Sequence, residues 1–182
     1  MSMNFRELDA VTRDWMDRRL AVEELSGAPY RSASLSETGL RSWPSLIREA
    51  ITNPSGTETT LAASLSLPDF WNETRPDPRS KSGRAKINVR QASELLALSE
   101  FNTWYVAGLA HRLLDEGSAQ CVVYRASEPK WSQAGCSQHE GQVLEISDII
   151  DGHRAGYWPL PGNPNVLSIP AGPGCHHTIA RI

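Results

Sequence analysis

The residues best suited to chemistry lie in the last third of this 182-residue chain, at Cys136-Ser-Gln-His139 and at Cys175-His176-His177. Thiolate and imidazole are the ligands that tetrahedral zinc prefers, and a C-x2-H knuckle presents two of them together. Cys136, His139, Cys175 and His177 therefore form a candidate metal set, a structural Cys2His2 zinc site. The 35-residue gap between His139 and Cys175 fits no zinc spacing. The competing reading makes these ordinary loop residues that pack or hydrogen-bond locally, with no cofactor. Cys175 and His177 also suit a nucleophile and its base, because residues two apart on a strand share a face and a thiol needs an adjacent imidazole to ionise. Gly172-Pro173-Gly174 offers no helix N-terminus to lower the thiol pKa further. Glu140, Glu145, Asp148 and Asp151 have no calcium-loop spacing and read as a solvated acidic face. The chain has no Walker loop, no G-x-G-x-x-G, no H-E-x-x-H and no G-x-S-x-G. These absences shift weight from an enzyme toward a binding or structural protein.

The second chemical feature is charge. The chain carries a net charge of −3, yet Arg75, Arg79, Lys81, Arg84, Lys86 and Arg90 face only Asp77 across their segment, a local net of +5. These six are the candidate partner-binding residues. They suit the acidic surface of a neighbouring subunit, or the phosphates of a nucleic acid, where each cation adds a salt-sensitive attraction. A solvated loop is the plain alternative. Phe70 and Trp71 precede the segment instead of interleaving with it, which counts against base stacking.

The elements that must position these groups read as an α+β fold. Residues 1–68 are a helical N-terminal region, residues 69–87 a basic connector or arm, and residues 88–182 a helix packed on a small, loop-rich β-sheet. Phe5, Leu8, Val11, Trp15 and Met16 recur at helical spacing over Asn4–Leu25, with Asn4 as cap and Arg6, Asp9, Arg13, Asp14 and Asp17 on the polar face. Ser42 is the predicted cap of a second helix bearing Leu46, Ile47, Ala50 and Ile51, and Thr57 that of a short one bearing Leu61 and Leu65. Asn88–Leu98 reads as a helix, after which Ser99 caps another over Glu100–Glu116, closed by Gly117. Gly108 inside that helix costs about 1 kcal/mol relative to alanine, which a close approach by another element would explain. Gln120–Arg125, Gln142–Ile146, Leu167–Ile169 and Thr178–Ile182 are the strand candidates.

Composition closes off several classes. Six tryptophans and a 40% apolar share exclude a wholly disordered chain. Three cysteines, an odd and low count, argue against a secreted disulfide framework, and Cys121 reads as a buried strand residue. The polar start at Met1–Phe5 is not a signal peptide, so the expected site of synthesis is a reducing cytoplasm. No run approaches 18 apolar residues, so no membrane span is expected. Val-Tyr-Arg at 123–125 is similar to the arginine-bearing first strand of ADP-ribosyltransferases, but only 57 residues follow it, with no Ser-Thr-Ser or Glu-x-Glu, and that activity is set aside.

One resemblance covers most of the chain. Phe101-Asn-Thr-Trp-Tyr-Val-Ala-Gly-Leu-Ala, Leu113-Leu-Asp-Glu-Gly117 and Val123-Tyr-Arg-Ala126 resemble a family of small proteins encoded in bacterial genomes and prophage-like regions, in which an F-N-x-x-Y-x-R-G-L helix leads into a V-Y-R-A strand. Phe5-Arg-Glu-Leu-Asp9, Thr12-Arg13 and Trp43-Pro44 extend the likeness. Ala107 departs from it, standing where the family has arginine. The resemblance implies a structural virion protein of a tailed bacteriophage, a head-tail connector or neck component made in the host cytoplasm. Its partners would be portal, neck or tail proteins and further copies of itself in a homo-oligomeric ring. It carries over no catalytic residues.

Overall fold

Ser36, Thr57, Asn88 and Asp9 each turn a short side chain back onto the backbone three residues on, and each opens a helix. The structure is a computed structural model that describes residues 2–128, 136–159 and 161–182; the side chains of Cys136 and Ser137 fall outside that description. Among the described residues there are five helices and two small antiparallel sheets, an α+β fold.

Helix α1 spans Ala10–Leu25 and is capped by Asp9, six residues later than the Asn4 start that periodicity predicts. The reason is tertiary. The Asn4 amide donates to the Ala126 carbonyl at 2.8 Å, the Tyr124 hydroxyl donates to the Asn4 carbonyl at 2.7 Å, and the Met3 amide donates to Glu58 at 2.6 Å. The Glu7 carboxylate also accepts the Arg181 amide at 2.7 Å. These bonds hold residues 2–8 as a strap across the sheet edge, with the Phe5 ring against Phe101 and Tyr105.

Helix α2, Glu37–Thr52, is capped by Ser36 and not Ser42, so Pro44 lies inside it. Ser36 is fixed from both sides, its amide bonded to the Phe70 carbonyl and its hydroxyl to the Asp69 carbonyl. Helix α3, Glu58–Ser64, starts at Thr57, which exchanges hydrogen bonds with Thr60 in a capping box. The basic connector is a β-hairpin: β1, Thr74–Pro76, pairs antiparallel with β2, Arg84–Lys86. Its tip is closed by the Asp77 amide on the Gly83 carbonyl and by turns through Ser80.

Helix α4 runs unbroken from Val89 to Asp115, where the sequence predicted two helices meeting at Ser99. The Ser99 hydroxyl donates to the Leu95 carbonyl four residues back and accepts the Gly174 amide, so it serves the helix interior instead of opening a new helix. Residues 101–110 are all buried, because α1, α3, α5 and the larger sheet surround the helix. A Cβ on Gly108 would lie 2.7 Å from the Met16 amide nitrogen, so this glycine is where α1 crosses α4.

The larger sheet has the order β4-β3-β5, all antiparallel. Strand β3 is Gln120–Arg125, β4 is Val143–Glu145 and β5 is His177–Ala180. Helix α5, Ile146–Asp151, follows β4 directly. Leu167–Ile169, a predicted strand, pairs with no other strand among the described residues; the Leu167 carbonyl is pressed against Gly152 instead. One hydrophobic core joins Met16 and Leu20 of α1, Trp43 and Ile47 of α2, Phe101 and Leu109 of α4, and Val123 and Ile179 of the sheet. No helix among the described residues is long and apolar enough to cross a membrane.

Candidate functional site

Three groups of residues carry chemistry. The first is the hairpin. Arg75, Arg79, Lys81, Arg84, Lys86 and Arg90 are all exposed. Arg90 lies on α4 and pairs with Glu94 at 3.2 Å. Among the described residues the Arg84 side chain bonds only to Thr74, through the Thr74 hydroxyl at 2.7 Å and the Thr74 carbonyl. Among the described residues none of Arg75, Arg79, Lys81, Arg84 and Lys86 has a carboxylate within ion-pair distance. Nine arginines elsewhere, Arg90 among them, do pair. At its base the hairpin borders a cleft of about 750 Å3 whose walls set Arg75, Lys86 and Arg90 against Glu58, Glu94 and Glu128.

The second group gathers part of the candidate metal set. Cys175 Sγ lies 3.9 Å from His177 Nδ1, and His177 Nε2 lies 3.2 Å from Glu140 Oε2. The hydrogen bond from His177 and the charge of Arg125, whose guanidinium is 2.8 Å away, hold the Glu140 carboxyl below its ordinary pKa. A carboxylate only accepts hydrogen bonds, so Nε2 donates to Glu140, and Nδ1 is the ring nitrogen that faces the thiol. The Asn102 side-chain amide donates to the His177 carbonyl at 2.9 Å and reaches the Cys175 carbonyl, which pins this loop to α4. Cys175 and His177 are both buried.

His139 stands apart from this pair. Its Nδ1 is bonded to Gln142 and its Nε2 to Gln138, both at 3.0 Å. Among the described residues no three His, Cys, Asp or Glu side chains converge as a metal site. The Cys136 side chain of the predicted zinc set lies outside the described residues. Cys121 is buried in β3 as expected, where burial and then the nearby Glu145 charge push its thiol up to about 11.

The third group was not singled out from the sequence. The Arg154 side chain is 2% exposed and lies between Glu100, also 2% exposed, and Glu23. Two nitrogens bond the two Glu100 oxygens at 2.9 and 2.7 Å, and the third bonds Glu23 at 2.9 Å. Tyr30 and Trp104 stack on the guanidinium, and the Tyr157 hydroxyl bonds it. Burial opposes charge at Glu23, but the His153 hydrogen bond and Arg154 overcome it and draw its pKa down to about 2. Burial opposes charge at Arg154 too, and Glu100 more than compensates, holding it well above its ordinary value. The cluster ties α1 and α4 to the loop after α5. All three guanidinium nitrogens of Arg154 are bonded within the protein, so its role is to join elements. Comparison of the chain with models of protein families, with curated proteins and with solved structures finds no match.

Proposed function

We propose that this protein works by holding other chains, and that the β1–β2 hairpin is its docking arm. The supporting observation is the set of five exposed cations on the hairpin that lack carboxylate partners among the described residues, in a protein that pairs its other arginines widely. Like charges held together on two short strands repel one another, and an acidic surface on a second chain relieves that repulsion. The resemblance noted above supplies the setting: a ring in the head-tail connector or neck of a tailed-phage virion, with portal, neck or tail proteins as neighbours. In such a ring the contact is heterologous, each hairpin reaching a different face of the next subunit.

The test is sedimentation of the purified protein, alone and mixed with tailed-phage portal and neck proteins, against the variant Arg79→Glu/Lys81→Glu/Arg84→Glu. The wild type is expected to assemble, and the assembly to weaken as salt rises from about 50 to 200 mM, because exposed charges are screened over that range. The variant is expected to stay dispersed with an unchanged melting temperature, since these side chains contribute nothing to the core. A wild type that stays monomeric with every neighbour sinks the proposal. Tight, steeply salt-dependent retention on duplex DNA instead would assign the hairpin to nucleic acid.

A second reading has its own observation, the Cys175–His177–Glu140 relay, which has the order of a nucleophile, its base and the group that orients the base. It predicts that Cys175 is alkylated by iodoacetamide at neutral pH faster than Cys121, and that Glu140→Gln slows Cys175 alone. Equal, slow labelling of both thiols would remove this reading.

A further inference from the structure

A pocket of about 260 Å3 lies between α1, α4 and α5, away from both the hairpin and the thiol relay. Its apolar walls include Val22, Val106, Ile149 and Ile150. Ala107 lies one turn from Trp104 and from His111 on the same face of α4, and its methyl group leaves the space open. Among the described residues two buried polar atoms on the lining are unsatisfied, and a cation stands beside them. The indole nitrogen of Trp104, a residue only 2% exposed, has no hydrogen-bond partner. His111 Nδ1 is likewise buried without one. Arg19 is half-buried and has no carboxylate partner among the described residues. Unpaired buried polar atoms are rare in folded proteins, and two beside one cavity point to something that completes them.

The donors define the ligand. An indole N–H can only donate, as can a guanidinium, and a neutral imidazole adds a further N–H at Nδ1 in the tautomer that an accepting ligand selects. Burial and the nearby Arg19 and His153 push the His111 ring down to about 4, so it is neutral near pH 7. Glu23 also lines the pocket, but its oxygens are already taken by the Tyr30 amide, His153 and Arg154, so it does not compete for these donors. The pocket is smaller than the range of about 300–1,000 Å3 usual for drug-sized ligands. We propose that it binds a small monocarboxylate with a compact apolar body, the carboxylate accepting from Trp104, His111 and Arg19 and the body packing on Val22, Ala107 and Ile149.

The experiment is titration of the full-length protein with benzoate and with isovalerate, read by calorimetry and by the indole N–H resonance that Trp104→Phe removes. Saturable binding is expected, with the Trp104 resonance shifting on ligand addition. Trp104→Phe and Arg19→Met should each weaken binding about tenfold, the effect of one hydrogen bond to a charged group. Arg19 is partly exposed, so its variant keeps the fold and serves as the second measurement if Trp104→Phe destabilises the protein. Ala107→Leu fills the space and should abolish binding. Failure of either acid to bind saturably means that the pocket holds water alone and overturns the proposal, as does benzamide binding as tightly as benzoate.

Discussion

Replacing Arg154 with methionine is expected to cost about 3–5 kcal/mol of folding stability, because removing one member of a buried ion cluster strands the charge of the others. Methionine keeps much of the aliphatic volume between Tyr30 and Trp104, so the loss reports charge and not a cavity. Glu100 and Glu23 would then face each other without the guanidinium they share. Urea denaturation at pH 7 measures the cost, and a change under about 1 kcal/mol would show that the cluster is solvated. The pH dependence gives an independent check. Glu23 has a folded pKa near 2, below its ordinary 4.5. Its contribution is therefore complete above about pH 4.5 and is lost as pH falls from there toward 2. In Arg154→Met the Glu23 carboxylate takes up its proton at higher pH, so the deficit against wild type should narrow as the solution is acidified. A deficit that stays constant from pH 7 to pH 3 contradicts this account.

Arg13→Met should rank second, at about 2–4 kcal/mol, the cost of losing charge-assisted bonds to buried acceptors. Arg13 is 8% exposed. One of its terminal nitrogens donates to the Ala50 and Ile51 carbonyls at 3.3 and 2.9 Å, and the other to the Gly56 carbonyl at 2.7 Å. It thus satisfies carbonyls at the C-terminal end of α2, where the helix dipole favours a cation. Arg18→Met on the same helix is the control. Arg18 and its partner Asp14 are both more than half exposed, so that change should be near neutral. Similar losses for the two variants would mean that Arg13 acts only through its surface charge.

Arg13 also shows why some of this structure was not legible in the sequence. Helical spacing places it among Asp9, Asp14 and Asp17, and nothing local distinguishes a solvated arginine from one reaching the end of another helix. Arg154 was hidden for the same reason, since its partners lie 54 and 131 residues away. By contrast, Thr57 as a cap, Gly117 as a terminator and Gly108 as a close approach follow from local rules, and the structure shows all three. The misplaced starts at Asn4 and Ser99 follow one pattern. Both residues can cap a helix, but distant backbone groups, at Ala126 and Gly174, claim them first. One signal was present and unused. From Phe101 to Ala110 the chain holds ten consecutive residues without a charge, which marks a helix enclosed on all sides rather than one with a solvent face. For the candidate sites, spacing brought Cys175 to His177, but only the fold adds Glu140 to that pair.

The strap at residues 2–8 bears on how the protein is made. Its bonds to Tyr124, Ala126 and Arg181 join positions more than 115 residues apart. During vectorial synthesis residues 2–8 must wait for residues 124–126 and 181 before they can settle. The helices can assemble meanwhile, but closing the sheet edge is a late, long-range step, the kind of contact that slows folding most.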